Sequence, residues 1–207
     1  IYHLHSDPIL YLGGNQLPFT DSARFLGLTF DKSLTWRSHI RTLQTRCVSP
    51  LNLLRMLSGT SWGADRITLL RLYRALIRSA LDYGSEVYGS AAPSTLRPIN
   101  SIHHAGIRLS TGAYRTSRIE CILADAGEPS LKIRRDILLA SYGAKVSGLF
   151  NHPCRRIITR PKYESSYILR TSLPQPPGIR LRNLLRELNF DLPTPVKPPN
   201  DPIPPWK

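Results

Sequence analysis

The sequence predicts an α+β chain that is mostly α-helical, because its apolar residues change period once along the chain and lose it near the end. Up to Phe30, bulky β-formers are interrupted by turn residues. From Thr35 to about residue 150 the apolar positions recur at spacings of three and four, the period of a buried helix face. More than half of the 18 prolines follow Leu173, so a Pro-rich, weakly ordered tail is expected. The 207 residues should therefore divide into short strands over 1–33, a helical bundle over 34–150 and a basic, Pro-rich linker over 151–207.

At the N-terminus, Pro8-Ile9-Leu10-Tyr11-Leu12, a Gly13-Gly14-Asn15 turn and residues 16–19 predict a hairpin, and residues 24–30 a further strand. Asp31, Lys32 and Ser33 are turn chemistry. Thr35 suits an N-cap for a helix whose face is Trp36, Ile40, Leu43 and Cys47, continued by Leu51 and Leu54. Pro50 falls inside that pattern, so the helix either kinks there or is two helices. Residues 65–82 give the clearest helix, with Asp65 at its start, an apolar stripe of Leu69, Leu72, Tyr73, Leu76, Ile77 and Ala80, and Gly84 as its stop. A third helix is expected from Pro93 to Gly112, interrupted by Pro98. Ser117 and Glu120 have capping-box spacing for a short helix ending at Gly127, and a last long helix is expected over residues 130–150. Residues 157–173 read as basic and irregular, followed by an amphipathic stretch at 179–188.

Charge narrows the choice of partner. The chain has 28 Lys+Arg against 14 Asp+Glu, a formal net charge of +14 and a pI near 10.3. Such an excess favours a polyanion, most simply nucleic acid, since each neutralised phosphate releases condensed counterions. Arg71, Arg74 and Arg78 fall at i, i+3 and i+7 on one predicted helix, a stripe of roughly 10 Å that reaches two successive phosphates. Arg37 and Arg41 fall at i, i+4 on the helix before it. A solvated basic face is the ordinary alternative, weakened here because carboxylates close in sequence are scarce.

Other chemistries find little support. No run of about 18 apolar residues is present, so no membrane role is expected. Cys47, Cys121 and Cys154 are odd in number and far apart, which fits reduced thiols in an intracellular compartment, nuclear or cytoplasmic, better than a disulfide framework or a zinc site. His39 has no carboxylate placed to orient it, so packing or capping is the reading preferred over proton transfer. No two acidic residues are adjacent, whereas two-metal phosphoryl transfer needs clustered carboxylates. The isolated chain is thus expected to hold no catalytic residue, metal or cofactor.

The block Phe25-Leu26-Gly27-Leu28-Thr29-Phe30-Asp31, with Leu34-Thr35-Trp36 and His39-Ile40, resembles the palm-to-thumb junction in reverse transcriptases of non-LTR (LINE-type, jockey-like) retrotransposons. Further segments extend that resemblance over most of the chain. They are Leu81-Asp82-Tyr83-Gly84, the run from Ile107 to Ala113 followed by Arg115-Thr116-Ser117, Gly127-Glu128-Pro129 through Arg134-Arg135, and Pro204-Pro205-Trp206. Ile102-His103-His104 and Ser130-Leu131 depart from the family pattern, in ways that touch packing more than chemistry.

The resemblance implies the end of the palm, the thumb and the connection region, ahead of an RNase H domain. Phe25, Leu26 and Gly27 would form the primer grip, and the arginines would lie on the phosphates of an RNA/DNA hybrid or duplex. Mg²⁺ and the Asp-Asp hairpin would belong to an upstream palm and fingers, consistent with a chain that starts at Ile1 without an initiator Met and reads as cut from something longer. Two other readings stay open. One is a stand-alone basic RNA-binding or scaffold protein; the other is an inert fragment of a degenerate element.

Overall fold

A computed structural model describes residues 9–59, 61–170 and 173–194. It is mostly helical, with two small antiparallel strand pairs at the N-terminal end, as the sequence predicts. Strands β1 (Tyr11–Leu12) and β2 (Asn15–Gln16) pair across Gly13 and Gly14, both at positive φ. Strands β3 (Ser22–Phe25) and β4 (Leu28–Asp31) form the second pair, in register from Ser22 opposite Asp31 to Phe25 opposite Leu28. The sequence reads residues 24–30 as one strand; the chain instead reverses within them. Leu26 (φ 46) and Gly27 (φ 80) are the two loop residues, and positive φ at both makes the tight primed turn that matches strand twist.

Asp31 then organises the passage into the first helix. Its carboxylate accepts the backbone N–H of Thr35 at 2.9 Å and of Trp36 at 2.7 Å. Partial burial alone would raise its pKa, but these donors outweigh that and hold it below the ordinary carboxylate value. Trp36, not Thr35, precedes helix α1 (Arg37–Leu57), in a left-handed conformation at φ 63. Its indole is buried edge-on to Phe30, 5.0 Å between ring centres, and donates to Ser90 Oγ at 2.9 Å. Pro50 lies inside α1, which runs through it as one helix.

Helix α2 (Arg66–Tyr73) begins at Asp65, whose carboxylate accepts the N–H of Ile67 and Thr68. It continues through a π-helical turn, Arg74–Arg78, into α3 (Ser79–Asp82). That wider turn changes the face presented to the core. Tyr73, Ile77 and Leu81, four residues apart, are buried, while Leu76, which a strict 3.6 period places in the stripe, is exposed. A short α4 (Ser85–Tyr88) follows, then α5 (Pro93–Thr111), which crosses α2 so closely that a Cβ at Gly106 would stand 2.7 Å from the Tyr73 ring. These helices with α6 (Ile119–Ala126) enclose the main core.

Helix α7 (Leu131–Gly148), capped by the Ser130 hydroxyl, carries a smaller core. Leu139 and Val146 pack there with Ile158 of α8 (Arg155–Thr159) and Leu181 of α10 (Pro177–Leu188). The segment read as irregular holds α8 and a further short helix, α9 (Glu164–Leu169). The capping box expected at Ser117 is not made: Arg118 precedes α6 and no side chain caps it. Pro8, at the expected start of the first hairpin, and the closing segment with Pro204-Pro205-Trp206 lie outside the described residues.

Candidate nucleic-acid interface

The tip of the β3–β4 hairpin projects from the bundle. Phe25 is 66% and Leu26 73% exposed, an arrangement that costs hydrophobic free energy and puts apolar rings and methyls in reach of another body. Beneath the tip stands Tyr83, whose hydroxyl donates to the Leu26 carbonyl oxygen at 2.7 Å. A Cβ at Gly27 would lie 3.4 Å from the same ring. The Leu-Gly turn and the Tyr-Gly helix end, 57 residues apart, are therefore two halves of one contact, which neither motif reveals in the sequence.

The five arginines separate into two groups. Arg37 and Arg41, on the first turns of α1, and Arg71 on α2 are exposed, and no ion-pair partner meets them among the described residues. Arg37 and Arg41 also line a groove of about 240 Å³ with Gln44, Ser94, Thr95 and Pro98. Arg74 and Arg78 are held from within. Arg74 Nε donates to Glu128 Oε1 at 2.6 Å, and Arg78 Nη1 donates to both Glu128 oxygens at 2.8 and 2.9 Å. The Glu128 side chain is 1% exposed. Asp82 extends the cluster, accepting from Arg134 at 2.8 Å and standing 3.9 Å from Arg78.

Carboxylates scarce in sequence are thus supplied by the fold. Glu128 follows the end of α6, and its backbone N–H donates to Leu123 as the chain turns toward α7. The π-helical turn sets Arg74 and Arg78 on the side of the helix that faces it, so Glu128 and Arg134 act as a clamp on the helix running from α2 to α3. Arg135 is buried in its own right. Among the described residues, the stripe of three arginines is physically one cation without an ion-pair partner and a pair sharing a buried anion.

The buried titratable groups show packing roles. His39 lies in the core, where its Nδ1 accepts the Thr29 N–H at 3.4 Å, and burial lowers its pKa. Burial pushes the Cys47 thiol up, away from the thiolate a nucleophile needs. Among the described residues no three His, Cys, Asp or Glu side chains gather as a metal site, and no helix is long and apolar enough to cross a membrane.

Comparison with known proteins places these residues in context. The chain is 27% identical over 131 residues, 63% of its length, to a retrovirus-related Pol polyprotein from a type-1 retrotransposable element of Nasonia vitripennis. It is 29% identical over 119 residues to the RNA-directed DNA polymerase from the mobile element jockey of Drosophila funebris, covering 56% of this chain. The jockey polymerase of Drosophila melanogaster matches at 25% identity over 154 residues, or 74% of this chain. Its relatives are non-LTR retrotransposon polymerases.

The chain spans only 33%, 13% and 17% of those three relatives' own lengths, so it corresponds to a part of each. No family model matches the sequence, and no solved structure matches it.

Proposed function

We propose that this chain is the non-catalytic thumb and connection segment of a retrotransposon reverse transcriptase, gripping primer and template through backbone contacts. The observation that carries the reading is the exposed Phe25-Leu26-Gly27 tip, braced by Tyr83, on a chain related to RNA-directed DNA polymerases. Residues 1–33 are the end of the palm, 34–150 the thumb and connection, and 151–207 a linker toward a downstream domain. Exposed Leu10, Tyr11, Leu12, Leu17 and Phe19 support an N-terminal surface covered by upstream palm and fingers, as the chain's small share of its relatives' length allows.

In this reading Phe25, Leu26 and Gly27 lie against the primer end. Arg37, Arg41 and Arg71 hold phosphates directly, and Arg74 and Arg78, half neutralised by Glu128, add contacts at the same face. Phosphate contacts carry no base information, so recognition is by shape and charge. Metal and nucleotide chemistry belongs to the palm.

The test is the salt dependence of binding to RNA/DNA hybrid and duplex DNA. Three free arginines predict a slope of log K against log salt near −3, and all five near −4.5, at about 0.9 per phosphate. Replacing Arg37, Arg41 and Arg71 together by Ala should lower the slope by roughly 3 and weaken binding uniformly across sequences. Salt-independent affinity, or no binding at about 50 mM salt, refutes the grip and leaves an inert fragment.

A further inference from the structure

Among the described residues, a second concentration of positive charge lies far along the chain from these arginines. Arg155, Arg156, Arg160 and Lys162 line a cavity of about 540 Å³ with Phe150 and His152. A second, of about 370 Å³, shares Arg156, Arg160 and Lys162 and adds Tyr163 and Tyr167. No carboxylate lines either. The nearest acid in sequence, Glu164, is taken up by Arg182 and Arg186 of α10. Arg155 is anchored, its Nε donating to the Ser147 carbonyl at 3.3 Å, whereas Arg156 and Arg160, one turn apart, are exposed and meet no ion-pair partner among the described residues.

We infer that this concavity of α8 and α9 is a second nucleic-acid site, which takes a single strand of RNA or DNA. The charges alone would suit any polyanion; the aromatic rings choose among them. Tyr163 is 74% exposed, held outward at φ 57 at the start of α9, and Phe150 flanks the first cavity half exposed. A duplex hides its base faces in the stack, so rings beside a basic groove have a partner only where bases are unpaired. Arg160 caps the end of α8, its N–H donating to the Arg156 carbonyl at 2.9 Å, so the two arginines stand one turn apart, about 6 Å along the axis, near the spacing of successive phosphates in an extended strand. The site lies on other elements than the duplex-gripping residues and does not depend on that reading.

The test uses the full 207-residue chain with fluorescein-labelled 15-mers of deoxythymidine and uridine, an abasic 15-mer, a duplex and, as the competing polyanion, phosphatidylserine vesicles. Arg156→Ala with Arg160→Ala should lower single-strand affinity about 10-fold and its salt slope by about 1.4, at roughly 0.7 per phosphate for single strands. Tyr163→Ala should cost about 10-fold on the base-bearing strands and little on the abasic one, with Tyr163→Phe restoring affinity. Duplex binding should stay within about twofold for all of them. These side chains are exposed, so helicity should be unchanged, and Lys162→Ala provides a second charge variant. Unchanged single-strand affinity overturns the proposal. So does an equal loss on duplex, an equal Tyr163 effect on the abasic strand, or loss confined to phosphatidylserine vesicles.

Discussion

At the scale of single residues, His103 shows how burial fixes chemistry. It is almost wholly buried, and its Nδ1 meets the Tyr73 hydroxyl. Burial, reinforced by the neighbouring His104, lowers its pKa from 6.5 to about 4. Between those values the unfolded chain binds a proton that the folded chain refuses, so stability is complete above pH 6.5 and declines as pH falls toward 4. The loss amounts to about 3 kcal/mol at most, and His39 and His104, also lowered by burial, act in the same direction. Urea midpoints taken downward from neutral pH should fall through this window, and His103→Asn, which keeps an acceptor for Tyr73, should flatten part of the decline. A flat profile in the parent protein would show that these imidazoles titrate normally. Trp36 could be read as a packing residue because it shares an arc with Ile40 and Leu43, and His39 as packing or capping because no carboxylate is placed to orient it. Glu128 could not: it is a lone acid between Gly127 and Pro129, and its partners Arg74 and Arg78 lie 54 and 50 residues away.

At the scale of elements, the helix starts near Asp65 and Ser130 were legible from the apolar period, and at Asp65 from a carboxylate at the positive end of the dipole; both side chains also cap, whereas the caps read at Thr35 and Ser117 are not made. The β3–β4 reversal was legible only through the resemblance, which makes Phe25-Leu26-Gly27 a turn: Leu26-Gly27 lacks the Asn or Asp that ordinarily signals one, and the Tyr83 contact that braces it comes from a distant helix end. The π-helical turn was hidden, and with it the pairing of Arg74 and Arg78 on Glu128. Glu128→Gln tests that pairing. Removing one partner of a buried ion pair costs about 3–5 kcal/mol, but the arginines here remain 40% and 25% exposed and water recovers part of it, so a loss of about 2 kcal/mol is expected. The same change removes the anion shared by two guanidinium groups, leaving Arg78 only the more distant Asp82. Duplex affinity should therefore rise while stability falls, by about threefold or more at low salt if either arginine reaches a phosphate. Destabilisation without any gain in affinity would make Arg74 and Arg78 structural and leave Arg37, Arg41 and Arg71 as the phosphate contacts.

Taken whole, the molecule has an apolar N-terminal end and a net charge of +14. In the proposed reading such a distribution belongs to a segment between a catalytic half and a nucleic acid, and it would separate two jobs that can be measured apart when the chain is joined to a polymerase palm. The hairpin tip should position the primer end, and the arginines should hold the duplex wherever its end lies. Gly27→Val is a poor probe of the first job, because at φ 80 and 3.4 Å from Tyr83 a branched side chain strains the turn itself. Leu26→Asn is sharper: Asn tolerates φ 46 better than Leu, so the hairpin should gain up to about 1 kcal/mol of stability while its apolar tip is lost. With Phe25→Ala beside it, primer extension in the rejoined polymerase should slow by about 100-fold, the effect of roughly 1 Å of misplacement, with duplex affinity nearly unchanged. Replacing Arg37, Arg41 and Arg71 by Ala should do the reverse, weakening duplex binding and leaving the rate at saturating duplex close to that of the parent. If the tip variants are more stable and extend primers at the parent rate, the exposed hairpin is a docking surface for the palm and not a primer grip.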